Sequence, residues 1–264
     1  MRGLIYNGKQ GSFIDGVEIS GMVNEGSGIM FTTRGGGIQA SYLEGVLKNF
    51  KLKNCLITNS PYSGEVVWAG FMEDFEISGN VMNAINSEGK THTGIFSIYG
   101  GNGKLNKNKL TNHQGDMLRL QPSQIASGKR IAIENNIVAF SSMYSAFELK
   151  VDSDKQLSAA FKPVDAHIKN NTAVSLSKIR TGDLKREGQI LDVYNLAGGK
   201  AYFDNNLGVD LFTPSDKGIA DMINYNYDKQ VVMGGNNKYF SNWQDAVSDL
   251  NSFKSKLAGV GATI

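Results

Sequence analysis

The chain has 264 residues, of which 41% are apolar, and it carries a formal net charge of +2 at pH 7. No apolar run approaches the roughly 18 to 20 residues that a transmembrane helix needs, and no basic stripe or aromatic motif indicates a nucleic-acid partner. With 31 glycines and only 4 prolines, the composition is typical of a β-protein rich in turns. Cys55 is the single cysteine, which excludes an intrachain disulfide and predicts a buried thiol.

A six-residue pattern recurs eight times along the chain. Its third position is apolar in every copy, its fifth is mostly Asn or Gly, and its sixth is Asn in six copies. The copies begin at Val17, Phe50, Phe75, Gly103, Ile131, Ala166, Ala201 and Val231. Successive sixth positions lie 25 to 35 residues apart. This variation indicates a β-solenoid, because an outer loop can lengthen without disturbing stacked strands, whereas a helical repeat must keep its length.

Within each copy, apolar and polar residues alternate, which predicts a short strand with one face inward. The Asn or Gly that follows suits a tight bend in a left-handed conformation. Side-chain amides stacked at the strand spacing of about 4.8 Å can hydrogen-bond to one another. We therefore predict an inward amide ladder from Asn80 to Asn236, with Met22 and Cys55 at the equivalent place in the first two copies.

A second strand, usually opened by Gly or Ser, is predicted after each bend. These strands begin at Gly28, Gly64, Gly94, Gly115, Ser145 and Gly188. Each repeat therefore contains at least two strands.

The end of the chain has a different pattern. Ser241 to Gln244 read as a capping box, and apolar residues recur after it at helical spacing. They are Trp243, Ala246, Val247, Leu250, Phe253 and Leu257. A helix over about residues 241–257 is predicted to cover the last repeat, whose strand edges would otherwise pair with other chains. The amino-terminal end shows no comparable cap, which leaves that end open to oligomerisation.

Strand, Asn-rich bend and glycine-led second strand, repeated over about residues 12–240, resemble the parallel β-helix repeats of the pectate-lyase-like superfamily. The resemblance implies one all-β domain over residues 1–264, a right-handed parallel β-helix of about eight coils with a C-terminal capping helix. The segment from Gly115 to Leu120 is similar to lyases of the alginate lyase and chondroitinase B type. Those enzymes hold calcium with two alternating acids, whereas this chain has Asp116 but Leu118 in place of the second acid, so no cofactor is expected, with calcium as the alternative left open.

Alternation places one set of polar and aromatic side chains on the outer face of the second strands. They are Ser97, Tyr99, Arg119, Gln121, Glu148, Lys150, Asp192 and Tyr194, with Trp68 beside them. Rings mixed with acids, bases and amides are typical of a sugar-binding groove. The alternative is an ordinary solvated face, on which Glu148 pairs with Lys150 or Arg119.

Two reactions fit this face. In β-elimination on a uronic acid, Lys150 or His113 would remove a proton while Arg119 stabilises the developing charge. In hydrolysis, Glu148 and Asp192 would flank the bond as acid and base or nucleophile. The side chains expected to bind substrate are Trp68, Tyr99, Gln121, Tyr194, His92 and Asp116.

The sequence favours a lyase acting on an acidic polysaccharide, with a noncatalytic carbohydrate-binding or tail-fibre module and a glycoside hydrolase as open alternatives. No spacing of His, Cys and acidic residues indicates a metal site. A secreted, periplasmic or cell-surface location is expected, although residues 1–7 lack the features of a signal peptide.

Overall fold

The structure is a computed structural model that describes residues 2–6, 12–25, 30–33, 38–43, 45–62, 64–88, 92–151, 160–179, 188–212, 222–224 and 229–259. In these ranges the strands are β1 (Arg2–Tyr6), β2 (Phe13–Asp15), β3 (Glu18–Ser20), β4 (Val23–Glu25), β5 (Met30–Thr33), β6 (Val46–Lys48), β7 (Lys51–Lys53), β8 (Leu56–Ser60), β9 (Val67–Ser78), β10 (Val81–Ile85), β11 (Gly94–Asn106), β12 (Lys109–His113), β13 (Asp116–Pro122), β14 (Arg130–Glu134), β15 (Ile137–Ser141), β16 (Phe147–Lys150), β17 (Asp165–Lys169), β18 (Thr172–Val174), β19 (Leu191–Asn195), β20 (Ala201–Asp204), β21 (Leu207–Val209), β22 (Val231–Met233) and β23 (Lys238–Phe240). The helices there are α1 (Ile38–Leu43) and α2 (Trp243–Gly259).

Within the described ranges the strands form two sheets, one of 15 strands and one of eight. The main path of the larger sheet is β1-β5-β9-β11-β14-β17-β20-β22, and the smaller sheet runs β23-β21-β18-β15-β12-β10-β8-β4. Neighbouring strands are parallel, as in β10 with β12 and in β13 with β16. Each strand therefore lies beside its counterpart from the preceding and following repeats, an arrangement compatible with a β-solenoid.

The central repeats contain three strands, one more than the minimum that the sequence predicts. In the repeat that begins at Gly103 they are the second part of β11, then β12 and then β13. The first part of β11 pairs with β13, whereas its second part pairs with β14. This one long strand therefore passes through a corner between two repeats. After the Asn bend comes β12, which belongs to the smaller sheet. The sequence pattern did not reveal the strands of the smaller sheet, because they follow the bend directly and no glycine opens them.

A glycine makes the corner within β11 possible. Gly101 has a φ of 131°, and a Cβ there would lie 1.8 Å from the carbonyl oxygen of Met72 in the preceding repeat. Any other residue would clash with that backbone and would be strained in this conformation.

The core lies between the sheets and confirms the predicted alternation of the second strands. Their inward residues are at most 2% exposed: Phe96, Ile98, Leu118, Leu120, Phe147, Leu149, Leu191 and Val193. Cys55 is a buried free thiol, as predicted. One apolar cluster extends from Leu47 to Ile223, so the outer face of these strands rests on a closely packed support.

The predicted amide ladder is present, with a shift at its last member. The Nδ2 atom of Asn108 donates to Oδ1 of Asn136 over 3.0 Å, and Asn136 donates in the same way to Asn171 over 3.0 Å. The last acceptor is Asn237 rather than the predicted Asn236. Asn236 instead adopts the left-handed conformation, with a φ of 59°, because the Gly234-Gly235 pair lengthens this bend by one residue.

The C-terminal helix is present, but its cap and its packing differ from the prediction. Asn242 rather than Ser241 caps α2, since its Oδ1 accepts from the backbone N–H of Asp245 over 3.0 Å. The indole of Trp243 donates to Ser175, beside the smaller sheet, over 3.1 Å. The apolar side chains at positions 247 and 250 are about half exposed, at 49% and 50%. The prediction that they cover the last repeat is therefore wrong; positions 253 and 257 lie outside the described side chains.

No helix in the described ranges has the length and apolar character needed to cross a bilayer.

Candidate functional site

The outer face of the larger sheet carries a row of aligned side chains. Arg119 of β13 is the direct partner of Glu148 on β16, which is the partner of Asp192 on β19. In the other direction, Arg119 pairs with Ser97, and Ser97 pairs with Trp68. Because partners on neighbouring parallel strands lie about 4.8 Å apart, these five side chains form one line across the strands. The predicted outward strip is thus brought together by the register of the sheet.

An ion pair stands at the centre of this row. The Nε atom of Arg119 donates to Oε1 of Glu148 over 2.7 Å. The Glu148 side chain is 1% exposed and that of Arg119 is 36% exposed. Glu148 therefore points to the outer face and is nevertheless shielded from water, a setting in which an ionised carboxylate needs its partner.

His92 joins this pair to Asp116. Its Nε2 atom lies 2.9 Å from Oδ2 of Asp116 and 3.2 Å from Oε2 of Glu148. Asp116 is 1% exposed, and the ring of Tyr144 is stacked on the imidazole at 3.9 Å between centroids. One imidazole nitrogen thus contacts two buried carboxyl groups, so these three groups form one polar network.

Burial perturbs the proton affinity of these groups. It raises the pKa of Asp116 to about 8. Burial and the charges of Asp116 and Glu148 raise the pKa of Asp192 to about 7. Burial also raises the pKa of Glu148, whereas the charge of Arg119 acts in the opposite direction. The pKa of His92 is lowered, chiefly by burial. Perturbed groups that converge on one face are typical of a catalytic site.

Aromatic and cationic side chains extend the face on both sides. Trp68 and Tyr99 meet edge to face, with ring centroids 6.2 Å apart. Lys150 lies over the ring of Tyr194, with its Nζ atom 5.6 Å from the centroid. The hydroxyl of Tyr194 hydrogen-bonds to Asp192. The face therefore offers flat surfaces for sugar rings as well as charges.

A shallow cleft opens on this face. It contains about 400 Å³ of empty space, including the solvent at its mouth. It is lined by Ser97, Ile98, Tyr99, Arg119, Leu120, Gln121, Glu148 and Lys150. Most of the predicted strip thus meets in one concave place, with Trp68 next to it.

His113 does not belong to this site. It ends β12 in the smaller sheet, opposite Ser141, and is 1% exposed. Burial lowers its pKa to about 3. The prediction that His113 serves as a base on the outer face is therefore wrong. Asn112, at a φ of 52°, interrupts the alternation of the strand and turns the next side chain inward.

Two side chains at this face were missed by the sequence analysis. Burial raises the pKa of Glu65, while Ser97 and the charge of Arg119 act in the opposite direction. Glu65 follows a strand-opening glycine as Asp116 does, so the Gly-acid pattern could have revealed it. Tyr144, which is stacked on His92, carries no sequence signal that distinguishes it from other loop aromatics.

The site also contains a set of possible metal ligands, where the sequence indicated none. His92, Asp116 and Glu148 each offer one ligand atom, and these atoms lie within 4.8 Å of one another. One imidazole and two carboxylates suit a transition-metal ion. They do not suit calcium, which takes six to eight oxygen ligands. Leu118, at the place of the second acid in the calcium-binding lyases, points into the core and is 0% exposed.

Comparison of the chain with models of known protein families, with curated proteins and with solved structures found no match.

Proposed function

We propose that the chain is a right-handed parallel β-helix that cleaves an acidic polysaccharide at the cleft on its larger sheet, by hydrolysis. The observation that carries this proposal is the alignment of Glu148 and Asp192 as direct partners on neighbouring strands. Their surroundings differ, because Arg119 binds Glu148 whereas Asp192 has a pKa of about 7. Two nearby carboxyl groups with different protonation are the requirement for glycoside hydrolysis.

The two groups have different roles in this reaction. Asp192, still protonated at pH values below about 7, donates its proton to the oxygen of the leaving sugar. Glu148, whose ionised form the charge of Arg119 favours against the effect of burial, acts as the nucleophile or activates water on the other side of the bond. His92 contacts both Glu148 and Asp116, and neither His92 nor Asp116 is among the residues that line the cleft.

The charges of the cleft favour an acidic glycan. When Asp116 and Asp192 hold their protons, Glu148 and Arg119 neutralise each other and Lys150 at the cleft adds a positive charge. Trp68 and Tyr99 supply flat surfaces beside these charges, on which sugar rings can pack. A secreted, periplasmic or cell-surface location belongs to the same proposal, since acidic polysaccharides are extracellular.

The β-helix part of the proposal rests on the path of the chain. Each central repeat returns to the same two parallel sheets in the same order, and the amide ladder repeats at the same bend. The fold matters for the reaction because it aligns side chains from successive repeats in a row perpendicular to the strands.

Elimination is a second candidate, and one contact favours it. Lys150 lies against Tyr194, close to Arg119 at the cleft, so a base and a cation stand side by side. Of the two bases that the sequence offered, only Lys150 is still available, because His113 is buried elsewhere.

The test is incubation with alginate, pectate, hyaluronan and chondroitin while reducing ends and the ultraviolet absorbance of a new double bond are followed together. Hydrolysis produces reducing ends without absorbance, and elimination produces both. Glu148→Gln should lower cleavage by about 10²-fold or more, while Glu18→Gln, on the exposed surface, should not change it. Retention of a polymer without cleavage would contradict the proposal and identify a noncatalytic binding module.

A further inference from the structure

One nitrogen of His92 faces two acids at once. Its Nε2 atom lies 2.9 Å from Oδ2 of Asp116 and 3.2 Å from Oε2 of Glu148, and both acidic side chains are only 1% exposed. An imidazole nitrogen carries at most one hydrogen, so this nitrogen cannot form a full hydrogen bond to both acids. A divalent cation among the three atoms contacts all of them and balances the charge of two buried carboxylates.

The distances between these atoms fit the ligands of one ion. Nitrogen and oxygen ligands bind Zn²⁺ at about 2.0 to 2.2 Å, which places two neighbouring ligands about 2.9 to 3.4 Å apart in octahedral or tetrahedral geometry. Both separations from the Nε2 atom of His92 lie in this range, and all three ligand atoms lie within 4.8 Å of one another. Among the residues that the structure describes, no other group of three His, Cys, Asp or Glu side chains meets this closely.

The backbone holds the three ligands on neighbouring segments. Asp116 donates its backbone N–H to the carbonyl of Thr93, next to His92, over 3.1 Å. This close approach depends on Gly115, because a Cβ there would lie 2.1 Å from the same carbonyl oxygen. Glu148 lies on β16, which pairs with β13, the strand that begins at Asp116. Ligands on a rigid support lose little conformational freedom when they bind an ion.

Two further contacts orient the ligands from outside. The ring of Tyr144 is stacked on the imidazole of His92, with centroids 3.9 Å apart and planes 10° from parallel. The Nε atom of Arg119 donates to Oε1 of Glu148 over 2.7 Å, whereas Oε2 of the same carboxylate faces His92. Outer contacts of this kind orient the ligands of metal sites. The guanidinium therefore engages the carboxylate oxygen that the ion does not need.

We propose that His92 Nε2, Asp116 Oδ2 and Glu148 Oε2 bind a divalent first-row transition-metal ion. One imidazole and two carboxylates are ligands that these ions accept, whereas Ca²⁺ takes six to eight oxygens. Three protein ligands leave at least one coordination position for water. The binding of the ion rests on this geometry and does not depend on the proposed hydrolysis.

A bound ion changes the chemistry of Glu148, and this effect rests on the proposed function. With the ion on Oε2 and Arg119 on Oε1, both oxygens of the carboxylate are engaged. The positive charge of the ion draws electron density from the carboxylate, which makes Glu148 a weaker nucleophile or base. Metal binding should therefore inhibit the proposed hydrolysis.

The experiment measures metal binding directly, on protein without a histidine tag and in the absence of any polymer. Co²⁺ develops visible absorption bands when protein ligands replace its water, and one equivalent should saturate these bands. Zn²⁺ should remove the bands by competition, whereas Ca²⁺ at the same concentration should not. His92→Ala should weaken Co²⁺ binding by about 100-fold or more, since a lost ligand costs at least as much as a lost outer contact.

Two further variants make the result specific. Glu148→Gln, which nearly preserves the shape of the side chain, should also weaken Co²⁺ binding, so the result does not depend on the folding of His92→Ala. His167→Ala changes a histidine that is stacked on Tyr202 outside this site, and it should bind Co²⁺ like the unmodified protein. Absence of the bands, or equal bands in His92→Ala, would overturn the site. Equal competition by Ca²⁺ would overturn the class of ion.

The cleavage assay separates this proposal from the proposed function. Zn²⁺ should lower the cleavage rate about tenfold or more, because the contribution of Glu148 as a base or nucleophile is lost, and a chelator should restore it. Faster cleavage with Zn²⁺ would overturn the inhibition. If the ions bind as expected and no polymer is cleaved, the proposed function fails and the metal site stands. If a polymer is cleaved and no ion binds, the metal site fails and the proposed function stands.

Discussion

Arg119 and Glu148 are direct partners on neighbouring strands, and the guanidinium Nε atom donates to the carboxylate Oε1 atom over 2.7 Å. Arg119→Ala would leave a carboxylate that is 1% exposed without its main cation. We expect the free energy of unfolding to fall by about 2 kcal/mol, less than for a fully buried pair because Arg119 is about one-third exposed. Denaturant unfolding measures this change. Lys48→Ala breaks the looser pair with Glu73, at 3.8 Å, and should cost less than about 0.5 kcal/mol. Equal losses in the two variants would contradict this account.

Glu148→Gln removes the negative charge of this side chain and nearly preserves its shape. The amide oxygen can still accept from Arg119, so we expect the melting temperature to change little. Cleavage should fall by about 10²-fold or more, because the amide can act neither as a nucleophile nor as a base. Initial rates on the preferred polymer measure the effect. Retention of full activity would remove Glu148 from the mechanism.

The stability of the fold should depend on pH through Asp116. Its folded pKa of about 8 lies above the ordinary value of 3.8, so the folded state binds a proton more tightly than the unfolded state. The stabilisation is complete below about pH 4 and is lost as the pH rises through 8. Thermal unfolding between pH 5 and 8 should show a declining midpoint, and Asp116→Asn should flatten the decline. A steeper decline in that variant would show that Asp116 is ionised in the folded protein.

The proposed hydrolysis should slow at alkaline pH because Asp192 loses its proton. Since the pKa of Asp192 is about 7, the proposed proton donor is protonated below that pH and ionised above it. The rate at saturating substrate should therefore fall at pH values above about 7. Asp192→Asn should be slow at every pH and should lack this descending limb. A limb that persists in Asp192→Asn would assign the proton donor to another group.

The amide ladder should contribute strongly to stability. Asn171→Leu removes an acceptor for the backbone N–H and the Nδ2 atom of Asn136, and a donor to the carbonyl of Ile133. We expect a loss of about 3 kcal/mol, because several buried polar groups lose partners together. Asn170→Gly is the matched control, since that exposed neighbour has a φ of 57° that glycine accepts. Its effect should stay within about 1 kcal/mol. Similar melting temperatures for the two variants would contradict the inward ladder.

The features of the fold that depend on local periodicity could be predicted from the sequence. Inward and outward positions alternate along a strand, so the outer location of Arg119, Glu148 and Asp192 followed from the pattern alone. The buried ladder followed in the same way, from Asn80 to Asn206. These features need only the repeat and the pleat of a strand.

The rest depends on features that a periodic pattern does not contain. The left-handed residue Asn112 breaks the alternation in β12 and turns His113 into the core. The contact of His92 with Asp116 joins residues that are 24 positions apart in the sequence. They meet because successive repeats stack on each other. The exposed face of α2 could not be foreseen either, because helical spacing identifies an apolar side without showing what it packs against.

The amide ladder has a direction. In each described step, Nδ2 of one asparagine donates to Oδ1 of the asparagine in the following repeat, from Asn80 to Asn237. Every such repeat therefore presents the same acceptor toward one end of the molecule and the same donor toward the other. A whole repeat, such as the 28 residues between Asn108 and Asn136, is interchangeable with its neighbours at this bend. Duplication or deletion of one repeat would reconnect the ladder without a mismatch, so the length of this protein can change during evolution in modular steps.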